Sequence, residues 1–272
     1  MIDVIEHGDV TEWRFATRLS RFAGYTASAF LTPDGMLIDT GIPACGAAFE
    51  QLLSATAVRG VVVTHHHEDH AGNVERVARR GIPIWLAPAT LPLVTTVERL
   101  RAYRRLTWTS MPPLTSAVTP FVSAALAMVP TPGHSADHHV VWEPGTRTLF
   151  SGDLFLGVAV RVMHMNEDPW QHVESLERAA ALEPARMFCA HRGLVPDPVT
   201  ALRAKAQWTR DTIAAITTAI TRGATDAQIL ASVLDGESLT GRLSGGEYAR
   251  RNFIRAVRRG LSCRIGDEQQ RL

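Results

Sequence analysis

The densest chemistry in the chain lies in one short run, His65-His66-His67-Glu68-Asp69-His70. It directly follows Gly60-Val61-Val62-Val63-Thr64, a β-branched run bounded by Gly that reads as a buried strand. Side chains of an extended segment alternate with period two, so His65 and His67 share one side. The turn beyond them carries Asp69 and His70 toward a neighbouring position. A frame starting at His66 gives His66-x-Glu68-x-His70 and loses the Asp-His pair. A frame starting at His65 satisfies H-x-H-x-D-H in full, and His66 then points away. Imidazole and carboxylate in such a group suit zinc, iron or manganese.

The elements that must hold these residues repeat one design. Strand-like runs end in metal-binding residue types at Asp39, at the 65–70 cluster, at His134, at Asp153 and at His191. Sites at strand ends suit α/β layered proteins, where loops carry the chemistry and strands hold them rigid. The run 25–31, the turn Thr32-Pro33-Asp34-Gly35 and the run 36–39 predict a hairpin. A second hairpin is predicted from 140–142 and 148–150. Short helices are expected over 47–53 and from about 72 to 81, and a longer one over 170–182 with Pro169 in its first turn. Residues 88–120 are punctuated by proline around one helical stretch, 94–106, and read as a lid or binding insertion. Beyond Pro198 the spacing turns helical over 199–222, 225–235 and 246–260, with Gly223 and Gly236 as stops.

The 272 residues suffice for a large core without a metal to staple it, and 46% hydrophobic with 20% charged residues excludes wholesale disorder. Lys+Arg is 28 against Asp+Glu 27, so a strongly basic nucleic-acid footprint is absent. Cys45, Cys189 and Cys263 form no CxxC and no disulfide framework. The N-terminal residues lack a basic start followed by an apolar run, and no apolar stretch reaches about 18 residues, so neither signal peptide nor membrane span is expected. A cytoplasmic protein acting on a small molecule is expected, without nucleic acid or membrane, and with room for a homo-oligomer.

Thr64-His65-His66-His67-Glu68-Asp69-His70-Ala71-Gly72-Asn73 resembles the signature of the metallo-β-lactamase superfamily. Leu37-Ile38-Asp39-Thr40-Gly41 resembles its first motif, Thr131-Pro132-Gly133-His134-Ser135 its third, Ser151-Gly152-Asp153 its fourth and Ala190-His191-Arg192-Gly193 its fifth, all in order. The resemblance covers roughly residues 1–195. It implies an α/β fold, the four-layer αβ/βα sandwich, here with a C-terminal helical extension: a catalytic domain over 1–197 and a helical subdomain over 198–272. It implies two divalent metal ions, zinc first, with iron or manganese as alternatives. His65, His67 and His134 would bind one, Asp69, His70 and His191 the other, and Asp153 would bridge them. Asp39 would orient a ligand imidazole. Two such ions lower the pKa of a bridging water from 15.7 toward about 7, and Asp69 would act in catalysis by orienting the hydroxide and receiving its proton.

Departures from the motifs narrow the branch. Asp153 stands where some true β-lactamases need Cys, and His67 stands where flavodiiron proteins carry Glu. Arg192-Gly193-Leu194-Val195-Pro196 does not resemble the glutathione-binding continuation of glyoxalase II. The remaining expectation is a glyoxalase II-like or β-lactamase-like hydrolase of a small ester, thioester or lactone. A phosphodiesterase or endoribonuclease on the same site is the alternative, with a mono-iron dioxygenase behind it. Substrate contacts are expected from His164, which follows the bridging Asp, and from Arg101 and Arg104 on the insertion, gripping a substrate carboxylate. One of His138 and His139 is a further candidate to face the site. The arginines of the last helix read as a solvated face.

Overall fold

The computed structural model describes residues 1–96, 100–159 and 162–270, with residues 263–270 described by backbone only. The chain forms two compact units. The first comprises residues 1–130, 137–156 and 182–198, and the second residues 131–136, 157–181 and 199–272. The second unit thus begins its longest stretch next to the sequence division at 197/198, but it also takes in two earlier segments.

The first unit holds two mixed sheets. Strands β1 (Ile2–His7), β2 (Val10–Phe15), β3 (Ala27–Leu31), β4 (Met36–Ile38), β5 (Gly60–Val62) and β6 (Ile84–Trp85) lie in that order, antiparallel to β4 and parallel from there on. Strands β7 (Ala127–Pro130), β8 (His139–Glu143), β9 (Thr148–Phe150), β10 (Arg186–Cys189) and β11 (Gly193–Val195) form the second sheet in the order β11-β10-β9-β8-β7. Only β9 and β10 run parallel there. Both expected hairpins are present. In the first, Gly35 N donates to Thr32 O (3.0 Å) and Gly35 takes φ +77°, which glycine adopts without a Cβ penalty.

The period-two pattern explains why both faces of the first sheet are apolar. Trp13, Phe15, Ala27, Ala29, Leu37, Val61, Val63 and Ile84 point to one core, and Val10, Phe30, Ile38, Val62 and Trp85 to another. The first core is capped by Phe49 and Leu53 of helix α2 (Gly46–Ala55) and by Val74 and Val77 of helix α3 (Val74–Arg79). The second core lies between the sheets, where Phe30 meets Phe150 and Phe188, and the last two stack at 5.5 Å. Helix α1 (Arg18–Phe22), capped by Thr17, and β11 were not anticipated from the sequence.

The expected insertion helix over 94–106 is not one helix. Helix α4 (Leu91–Val94) and helix α5 (Ala102–Trp108) stand on either side of residues 97–99, which lie outside the described residues, Arg99 among them. The second unit is helical: α6 (Pro169–Ala181), α7 (Pro198–Thr221), α8 (Asp226–Val233), α9 (Leu239–Leu243) and α10 (Arg251–Gln270). Its own core gathers Val173, Ile213, Ile216, Ile229, Phe253, Ile254 and Val257. Thr225 closes a capping box with Gln228 at the start of α8, and Arg258 of α10 pairs with Asp226 at 2.8 Å. No helix among the described residues is long and apolar enough to cross a membrane.

Candidate metal centre

The 65–73 segment leaves β5 and turns sharply over the ends of β4 and β5. His70 N and Ala71 N both donate to His67 O (3.0 and 2.8 Å), which makes the turn, and Thr40 N and Thr40 Oγ1 hold His70 O (2.7 and 2.8 Å). Asn73 fixes the exit by donating through Nδ2 to Thr40 O (2.8 Å). A Cβ at Gly72 would strike the Glu68 and Gly41 carbonyl oxygens, so the close approach of these loops requires glycine there.

Two groups of side chains converge in the first unit. His65, His67 and Asp153 offer ligand atoms within 4.8 Å of one another, and so do Asp69, His70 and His191. All except His191 are buried, and the His191 side chain is only 7% exposed. His70 Nε2 and His191 Nε2 stand 3.2 and 3.0 Å from the same Asp153 oxygen, Oδ1, and His191 Nε2 is 3.4 Å from Asp69 Oδ2. His65 Nε2 faces His67 Nδ1 at 3.0 Å. His134 lies on the 131–136 segment, which belongs to the second unit, and there its Nδ1 is 3.3 Å from Glu167 Oε1.

Surrounding groups set the tautomers. His70 Nδ1 donates to Asp39 Oδ2 (2.8 Å), and His191 Nδ1 donates to Thr26 O (2.6 Å). Each ring therefore turns its Nε2 to the cluster. Asp39 is itself held by Thr64, whose N and Oγ1 donate to it at 2.8 and 2.9 Å. Burial opposes protonation of His70, yet the carboxylates of Asp153, Asp39 and Asp69 outweigh it and hold this imidazole well above its ordinary pKa. His191 is raised in the same way, against its burial, chiefly by Asp153.

These features fit a divalent cation. His70 Nε2 is buried and satisfied by no hydrogen bond, although carboxylate oxygens surround it. A buried polar atom in that position needs a partner, and a cation held by imidazole nitrogen and carboxylate oxygen supplies one. The raised histidine pKa values report the same negative field.

Other expected residues fall elsewhere. His66 turns to Asp137, donating through its backbone N (2.9 Å) and through Nδ1 (2.8 Å). His138 is fully buried and its Nε2 accepts from Asp153 N (3.0 Å), so it holds the backbone that carries that carboxylate. His139 Nδ1 bonds back to Asp137 O (2.7 Å). His164 lies in the second unit, 3.6 Å from Glu247 and against the Tyr248 ring. Arg101 is exposed at the start of α5. Arg104 requires a correction. It is 3% exposed, and its Nε and Nη2 both donate to Glu68, the former at 2.7 Å. Its guanidinium is committed to that carboxylate rather than presented to a substrate. Burial pushes Glu68 up in pKa while Arg104 opposes the shift.

Sequence reasoning missed Glu68 as the partner of Arg104, Asp137 as the partner of His66, and Tyr25. The Tyr25 hydroxyl is 3.4 Å from His191 Nε2, its ring centroid is 4.7 Å from that of His191, and its edge packs against Trp108 of α5. Asp137 sits three residues after His134, a signal the spacing offered. Tyr25 offered none, because only the approach of the β2–β3 connection to β10 brings it there.

The family comparison agrees with this architecture. The model of the metallo-beta-lactamase superfamily matches residues 34–191, more than half of the chain. The chain belongs to that superfamily of metallo-hydrolases. It is similar to the beta-lactamase-like protein 2 homolog of Drosophila melanogaster, 28% identical over 179 residues, covering 60% of this chain and 56% of that protein. It is similar also to a hydroxyacylglutathione hydrolase of Thiobacillus denitrificans, 33% identical over 138 residues, or 50% of this chain and 48% of that one. The chain thus spans about half the length of the curated relatives it matches. Among solved structures, a metallo-beta-lactamase family protein from Thermus thermophilus superposes with a TM-score of 0.61 at 19% identity, covering 92% of this chain and 90% of that one. That likeness carries the fold, an α/β sandwich with C-terminal helices.

Proposed function

We propose that the chain is a dinuclear metal-dependent hydrolase, zinc being the first candidate, that acts on a small ester, thioester or lactone. The observation that carries this reading is the pair of buried imidazole–carboxylate groups meeting at Asp153. His65, His67 and, by its motif, His134 would hold one ion, Asp69, His70 and His191 the other, with Asp153 between them. Such ions, when bound, would supply a nucleophile at neutral pH and Lewis-acid polarisation of the substrate. Asp69, 8% exposed beside His191, would orient the nucleophile and take its proton. Asp39 and Thr26 would fix the ligand rings, and His138 would hold the Asp153 backbone. Arg101 and His164 are proposed substrate contacts on their sequence placement. The catalytic part is proposed to span 1–197 and the helical part 198–272. A near-zero net charge supports a small substrate over a polyanion; a cytoplasmic setting is part of the proposal.

Elemental analysis and a substrate panel test the reading together. Two equivalents of transition metal per chain and turnover of esters, thioesters or lactones are expected. One equivalent of iron with oxygen consumption overturns it in favour of a dioxygenase. Cleavage of single-stranded RNA without ester turnover overturns it in favour of a nuclease.

A further inference from the structure

Tyr25 is the one phenol beside the imidazole–carboxylate groups among the contacts described above, and its placement is specific. Its hydroxyl oxygen stands 3.4 Å from His191 Nε2, the nitrogen that also faces Asp153 Oδ1 at 3.0 Å and Asp69 Oδ2 at 3.4 Å. The next residue, Thr26, accepts from the opposite nitrogen of the same ring at 2.6 Å. Residues 25 and 26 therefore flank the His191 imidazole on both sides. The hydroxyl lies on the cluster side and the carbonyl on the far side.

The phenol is also fixed from behind. Its ring meets Trp108 edge-on at 5.0 Å, and Trp108 is 8% exposed on α5, one turn after the buried Arg104 that α5 anchors to Glu68. An edge-to-face aromatic contact of this kind costs the tyrosine little further entropy on binding and keeps its hydroxyl in place. Yet Tyr25 itself is 40% exposed. A rigid ring with an accessible rim and a hydroxyl at the edge of the cluster is built to meet something that arrives from solvent.

We propose that Tyr25 is a substrate-contacting residue of this centre, whose phenolic O–H donates to the substrate oxygen on which negative charge develops. The inference deepens the hydrolase reading and rests on it. A hydrogen bond that strengthens as charge builds up favours the transition state over the bound substrate, so its loss lowers kcat more than it raises KM. No bond of the tyrosine is made or broken.

The test replaces Tyr25 by Phe, which keeps the ring against Trp108 and His191 and removes only the hydroxyl. Metal affinity is first measured for both proteins by competition with a chromogenic chelator. Binding of inorganic phosphate, an oxyanion probe that needs no turnover, is then measured by calorimetry on the metal-loaded proteins. The expected result is unchanged metal affinity, about tenfold weaker phosphate binding in Tyr25→Phe, and kcat on the best ester reduced at least tenfold with KM within about twofold. Equal phosphate affinity in the two proteins overturns the proposal, as does a wild type that binds no phosphate. A fall in metal affinity, with activity restored by excess metal, overturns it by making Tyr25 a support for His191. A wild type that binds phosphate through Tyr25 yet turns over no small ester leaves the Tyr25 role standing and rejects the substrate reading instead.

Discussion

Asp39 takes φ +65°, a left-handed backbone that residues other than glycine rarely adopt. Such a conformation costs on the order of 1–3 kcal/mol and persists where the surroundings over-determine it. Here the surroundings are clear: its carboxylate accepts from Thr64 N, Thr64 Oγ1 and His70 Nδ1. The kink at the end of β4 brings one carboxylate under both the strand end and the His70 ring. An Asn at 39 keeps the shape but turns an NH2 donor or a weaker acceptor toward His70 Nδ1, which unsettles the ring orientation that aims Nε2 at the cluster. Asp39→Asn is therefore expected to weaken metal binding roughly 10–100-fold. Chelator competition measures it, and an affinity equal to that of the wild type would refute the orienting role.

The elements around the centre show why some of it was legible in the chain and some was not. Each strand end carrying His or Asp was readable, because a short apolar run followed by such a residue fixes both the element and its tip. The 88–120 insertion was not. Its proline-rich chain carries no period, and its anchors are far away in sequence. Leu114 N donates to Val94 O (2.8 Å), and Glu75 of α3 receives Thr115 N and Ser116 N at 2.9 and 3.1 Å together with both hydroxyls. Arg104 was misread for the same reason. On a short helix its spacing from Arg101 looks like one cationic face, and only Glu68, 36 residues upstream, decides that it turns inward.

Glu75 makes the pinning of that insertion testable by pH. Burial raises its pKa, but the Ser116 and Thr115 amides, the Ser116 hydroxyl and Arg79 bring it down to about 2. A carboxyl whose folded pKa lies below its unfolded value stabilises the fold fully above the unfolded value, near 4.5, and loses that contribution as pH falls toward about 2. On the order of 2–3 kcal/mol rests on it at neutral pH. Urea unfolding of Glu75→Gln should show a lower midpoint than the wild type at pH 7 and a gap that narrows below about pH 4. A constant gap would count against this account.

At the scale of the whole molecule, two sheets meet through a few aromatic side chains. Phe188 of β10 stacks on Phe150 and meets Phe30 of the opposite sheet at 5.2 Å, and all three are almost fully buried. Removing that ring leaves a cavity between layers that are already hydrogen-bonded within themselves and cannot collapse to fill it. Phe188→Ala is expected to cost about 3–5 kcal/mol, seen as a lower urea midpoint with little change in slope. A loss under about 1 kcal/mol would mean that the sheets repack.

The centre draws Asp39 and residues 65–70 from the ends of one sheet and Asp153 and His191 from the ends of the other. No short peptide of this chain contains the whole ligand set, unlike the self-contained loop of a zinc finger, which cannot fold without its ion. The sheets must dock before the coordination geometry exists at all. A cation taken up here would then arrive late in folding, after the two sheets have met.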